Sequence, residues 1–168
     1  MKKCNTELMK ELKAVQNELS ELIERADSKN TVEYYDGEEE VERDFDYTEF
    51  ISKMRELRQQ EGHIKALLAY SNATTKLVGM EDLTIGEGLV KLAQLNNEIK
   101  TLARYRTAKQ VVKTVKHATF EGDKDRVLVR EHLYDVHQVD EDIKSLQREV
   151  SRLQVAIDRT NLTNMIEC

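Results

Sequence analysis

A chain of 168 residues with no proline, no tryptophan, 5% aromatic and 35% charged residues has the composition of long solvated helices rather than a compact mixed fold. Its net charge of −6 argues against general nucleic-acid binding, which needs a basic excess to displace counterions. No stretch approaches the eighteen or so continuous apolar residues of a membrane span. Asn5, Glu7, Lys10, Glu11 and Lys13 occupy the place where a signal peptide needs an apolar core, so a cytoplasmic chain is expected, in the host cytoplasm if phage-encoded.

The first predicted helix covers 6–28, where Leu8, Leu12, Val15, Leu19, Leu22 and Ala26 recur at 4,3,4,3,4 spacing. An acidic linker follows over 29–46. From Glu33 to Glu49 its only positive charge is Arg43. Tyr34-Tyr35 and Val41 alternate with acids as a short strand or extended arm would, and a solvated linker is the favoured reading.

Residues 47–106 read as a helical hairpin. One arm carries Phe50, Met54, Leu57, Glu61, Ile64, Leu68 and Ser71; the other carries Ile85, Leu89, Leu92, Asn96, Ile99, Ala103 and Arg106. Both step by 4,3,4,3, the seam of a coiled-coil-like bundle. Thr84 and Glu87 form a capping box at the second start. Glu61 and Asn96 interrupt the two seams about 15 Å from the turn at the helical rise, and so are expected to share a layer. A register-setting polar layer is the favoured reading, and a buried polar site in an oligomer the alternative.

A basic run follows: Lys100, Arg104, Arg106, Lys109, Lys113 and Lys116, with no acid between Glu98 and Glu121. It invites an anionic ligand, or neutralisation by the acidic linker. Read as helical, Arg104 and Arg106 face different ways. Val111-Val112, Val115 and Val127-Leu128-Val129 flank Glu121-Gly122-Asp123, which predicts a β-hairpin over 110–134. The C-terminal helix spans 136–163 with Val139, Ile143, Leu146, Val150, Leu153, Ile157 and Thr160 on its seam. Running antiparallel to the third helix, it is expected to bring Asn161, Thr163 and Asn164 beside Asn72, Thr74 and Thr75. The expected fold is mainly α: one domain over 1–168, long antiparallel helices in a coiled-coil-like bundle, and a small β-hairpin near 111–130.

Ser71-Asn72-Ala73-Thr74-Thr75-Lys76-Leu77, Leu83-Thr84, the helix from Leu89 to Leu102, Gly37-Glu38-Glu39 and the Leu153 to Asn161 region together resemble the septicolysin-like family of small helical bacterial and phage proteins. The resemblance implies an intracellular α-helical homo-oligomer with a small β-hairpin. It carries over no catalytic residue.

His63, His117, His132 and His137 have no metal-ligand spacing, and Cys4 and Cys168 read as free thiols at opposite ends. No phosphate loop or nucleophile elbow is present, so the expectation is a non-enzyme without cofactor or metal. Two readings fit. In the first, a homo-oligomer sequesters a small phosphorylated nucleotide signal in inter-subunit pockets, as a phage anti-defence sponge would. Arg104, Arg106 or Lys109 would meet phosphate, Tyr70 or Tyr105 would stack, and Asn72, Thr74, Thr75 and Asn161 would read polar edges. In the second, the helices are a structural coiled-coil scaffold or protein–protein adaptor. A membrane-acting cytolysin ranks below both, because a strongly apolar amphipathic segment is missing.

Overall fold

The computed structural model describes residues 2–37, 44–106, 109–117 and 126–167. The elements in chain order are β1 (Lys2–Cys4), α1 (Asn5–Lys29), α2 (Tyr47–Thr74), β2 (Lys76–Leu77), β3 (Met80–Thr84), α3 (Ile85–Leu102), β4 (Val111–Lys116), β5 (Arg126–Glu131), α4 (Val136–Thr163) and β6 (Met165–Glu167). The fold is therefore mainly helical, with three antiparallel strand pairs: β1 with β6, β2 with β3 and β4 with β5. The chain forms two compact units, Met1–Gly86 with Ile157–Cys168, and Glu87–Ala156.

In the first unit α1 and α2 pack through the stripes expected of them. Leu8, Val15, Leu57 and Ile64 form the buried core, with Leu12, Leu19, Leu22, Leu67, Leu68 and Ile166 against it. The helices are antiparallel, because Gln16 donates to Glu61 at 2.9 Å while Glu18 pairs with Lys53 and Lys29 with Asp44. Side chains satisfy backbone donors at both helix starts. Asp46 accepts from the N–H groups of Thr48 and Glu49 at 2.8 and 3.0 Å. The Cys4 N–H donates to Glu7 at 2.8 Å and holds that carboxyl below its ordinary value of 4.5.

Two strand pairs of this unit were not expected. β2 and β3 fold about Val78-Gly79, where Gly79 takes φ +82°, a region that favours glycine. β1 and β6 pair Cys4 with Met165 and so tie the start of α1 to the chain after α4. Three residues are too few for a period to show.

In the second unit α3 and α4 run antiparallel, because Lys91 pairs with Glu149 and Arg106 with Asp140, each at 2.7 Å. β4 and β5 lie in register from Val111 opposite Glu131 to Lys116 opposite Arg126. The expected turn at Glu121-Gly122-Asp123 lies outside the described residues, as do Glu38, Glu39, Val41 and Arg43 of the acidic linker.

Three expectations need correction. The least exposed stripe of α3 is Ile85, Gly88 and Leu95, buried, with Leu92, Ile99 and Leu102, half-buried, and not the one through Leu89 and Asn96. Leu95 is 8% exposed and Leu89 43%. Both stripes have heptad spacing, and Leu89, Val90 and Ala93 leave the helix apolar over much of its circumference. Turning Leu95 inward and Asn96 outward avoids desolvating an amide, a saving of about 1–3 kcal/mol. The supposed layer partners then have other partners. Glu61 accepts from Gln16 of α1 and pairs with Lys65, interactions that lower its carboxyl, Gln16 first; the exposed Asn96 donates to the Leu92 carbonyl of its own helix. Finally, α3 stops at Leu102. The N–H groups of Arg104, Tyr105 and Arg106 donate three residues back, to Thr101, Leu102 and Ala103, so both arginines sit on a tight turn and helical facing does not separate them.

Candidate functional site

Where α1 begins and α2 and α4 end, the first unit buries polar side chains. Asn5, Ser71 and Thr160 are each no more than 2% exposed. Such groups are costly unless bonded. Asn5 Nδ2 donates to Asn161 Oδ1 at 2.9 Å, and Thr160 Oγ1 accepts from the Val78 N–H at 2.9 Å. Asn164 Nδ2 donates to Ser71 Oγ at 3.4 Å and to Thr75 Oγ1 at 3.1 Å, while the two hydroxyls lie 3.3 Å apart. Asn5 Oδ1 is a buried acceptor with no hydrogen-bond partner among the described residues.

Beside this network opens a cleft of about 380 Å³, lined by Tyr70, Ser71, Thr74, Thr75, Asn164 and Glu167 among others. The size falls in the range of small-ligand pockets. Tyr70 is 70% exposed, so its ring is available for stacking. The Thr74 hydroxyl donates to the Tyr70 carbonyl at 2.8 Å and keeps its acceptor lone pairs. Chemically the lining offers hydroxyls, an amide, an aromatic face and one carboxylate; it contains no cation.

Of the predicted residues, Tyr70, Thr74 and Thr75 come together here, and Asn72 and Asn161 are not in the lining. Asn161 is held by Asn5, and its carbonyl accepts from the Thr6 hydroxyl at 3.3 Å. Asn72 has a packing role: its carbonyl oxygen lies 3.1 Å from where a Cβ on Gly86 would sit. Glycine is what allows that approach.

Arg104, Tyr105, Arg106 and Lys109 belong to the second unit. The Tyr105 ring meets Tyr134 edge-on at 5.5 Å, and Tyr134 Oη donates to the Tyr105 carbonyl at 2.8 Å. Arg106 Nε is engaged by Asp140. Arg104 and Lys109 are exposed and have no ion-pair partner among the described residues. Sequence reasoning missed Gln110, whose amide nitrogen donates to the carbonyls of His132 and Tyr134 and whose oxygen accepts from the Val136 N–H. It clamps the base of the β4–β5 ribbon. Ser71 and Asn164 were also missed as lining residues, although Asn164 was expected near Thr75.

Among the described residues, no group of three or more His, Cys, Asp or Glu side chains could hold a metal ion. No helix there is long and apolar enough to cross a membrane. No family model matches the sequence, and no curated protein does. A crystal structure of a functionally unknown conserved protein from Corynebacterium diphtheriae is similar over 99% of this chain and 100% of that one, with a TM-score of 0.65 and 16% identity. At that identity the likeness shows the fold alone.

Proposed function

We propose that this protein is a non-catalytic homo-oligomer, built as a coiled-coil-like helical assembly, that holds a small phosphorylated, nucleotide-like ligand in pockets between subunits. In a phage setting this would act as a sponge for a nucleotide immune signal. The observation that carries the reading is the convergence of Tyr70, Ser71, Thr74, Thr75 and Asn164 on one open cleft of ligand size. An exposed ring suits stacking on a base, and hydroxyls beside an amide suit its hydrogen-bonding edge. The cleft's own lining lacks the cations that phosphate requires, and Glu167 would repel it. In this reading the phosphate meets cations brought by another subunit, and Arg104 and Lys109, both without an ion-pair partner among the described residues, are the residues proposed for it.

Calorimetric titration against a panel of cyclic dinucleotides and ADP-ribose derivatives tests this. Wild type is expected to bind at least one member, with Tyr70→Ala and Arg104→Ala each weakening it about tenfold or more, since a charge-assisted hydrogen bond contributes roughly 1.5–3 kcal/mol. Arg106→Ala is expected to matter less, because Asp140 already holds its guanidinium. Absence of heat with every member would leave the scaffold reading in its place.

A further inference from the structure

The β4–β5 ribbon is a two-stranded sheet whose twelve paired residues are all exposed. Side chains alternate between its faces, and residues directly opposite one another share a face. Register therefore places Val111, Lys113, Val115, Val127, Val129 and Glu131 on one side. Val112, Thr114, Lys116, Arg126, Leu128 and Arg130 occupy the other. The four valines of the first face are 39–59% exposed. An isolated two-stranded ribbon is marginal in water, and a clustered apolar face on one marks a surface that something covers.

We propose that the first face is where a second copy of the chain docks, ribbon on ribbon; this rests on the homo-oligomer part of the proposed function and not on its ligand. Charge selects the occupant. The valine face carries one cation, Lys113, and one anion, Glu131, on opposite strands and in adjacent rows of the register. A twofold axis lying between the two faces and parallel to them sets Lys113 of each copy toward Glu131 of the other, beside the valines. The opposite face carries Lys116, Arg126 and Arg130 and no acid, so two copies meeting through it would set like charges together. The valine face is thus self-complementary, as a twofold contact between identical chains requires. Six residues at about 3.4 Å each, on strands about 5 Å apart, make a contact smaller than the roughly 800 Å² per partner of standard interfaces. It is a weak contact, sensitive to a single charge.

Charge reversal tests it by sedimentation equilibrium over a micromolar dilution series. Lys113→Glu and Glu131→Lys, each alone, are expected to raise the dissociation constant about tenfold or more, because each brings like charges together across the contact. An equimolar mixture of the two variants restores both intermolecular pairs while leaving each ribbon's internal like-charge pair in place, and is expected to recover the assembly. Recovery in the mixture therefore cannot come from repairing the ribbon itself. Val115→Asp with Val129→Asp is expected to abolish association with the far-ultraviolet helical signal unchanged. Unchanged assembly in the single variants, a mixture that stays dissociated, or a wild type that is monomeric throughout would each overturn the proposal. Ligand titration is read separately, so a cleft that binds nothing leaves this result standing.

Discussion

The two compact units both expose apolar side chains but differ in the polar ones they bury. The unit containing α1 and α2 buries Asn5, Ser71 and Thr160 where its helices end. The unit from Glu87 to Ala156 has no buried polar or charged side chain among the described residues, yet leaves Leu89, Val90 and the ribbon valines exposed. Burying polar groups fixes geometry at a cost in desolvation, which suits a site that must present hydroxyls and amides in set positions. Exposing apolar groups costs a monomer solubility and stability, which suits a surface completed by association. Under the proposed function, the difference would separate where a ligand is read from where copies meet.

The largest expected effect sharpens this contrast inside α3. Leu95→Ala is expected to cost about 2–4 kcal/mol in chemical unfolding, the price of a cavity in a packed stripe, and Leu89→Ala under about 0.5 kcal/mol. Should Leu89 prove the costlier of the two, the helix is turned the other way, with Asn96 inward. A smaller effect probes the polar end. Thr160→Val keeps the volume but leaves the Val78 N–H without its acceptor, and is expected to cost about 1–3 kcal/mol. Denaturant titration showing no loss would mean that this buried network is dispensable, and the comparison between the units would fail.

How far the sequence reveals these features depends on whether each leaves a period. α1 and α4 each show an apolar stripe at heptad spacing, which located both to within a residue, and the start of α2 was located as well, whereas its last turn, through Thr74, reads in the sequence as part of the connection. α3 is apolar on too many sides for spacing alone to choose between Leu95 and Leu89. The β1–β6 pair joins residues far apart in sequence, and β2–β3 turns about Gly79 on strands too short to show a period. At the cleft, the cluster of uncharged polar residues near both helix ends was visible, and three of its lining residues were named. Ser71 was hidden because it also fits the seam. The Arg104–Arg106 region was visible as a charge run, but its departure from helix was not, because the Tyr105–Tyr134 contact links residues 29 apart.

Native mass spectrometry of protein purified gently from cells tests the central claim, an oligomer that retains a small ligand, most directly. The expected result is an assembly at a whole multiple of the 19.5 kDa subunit, with a further small mass that is lost on denaturation. A single 19.5 kDa species carrying no additional mass across micromolar concentrations would contradict it.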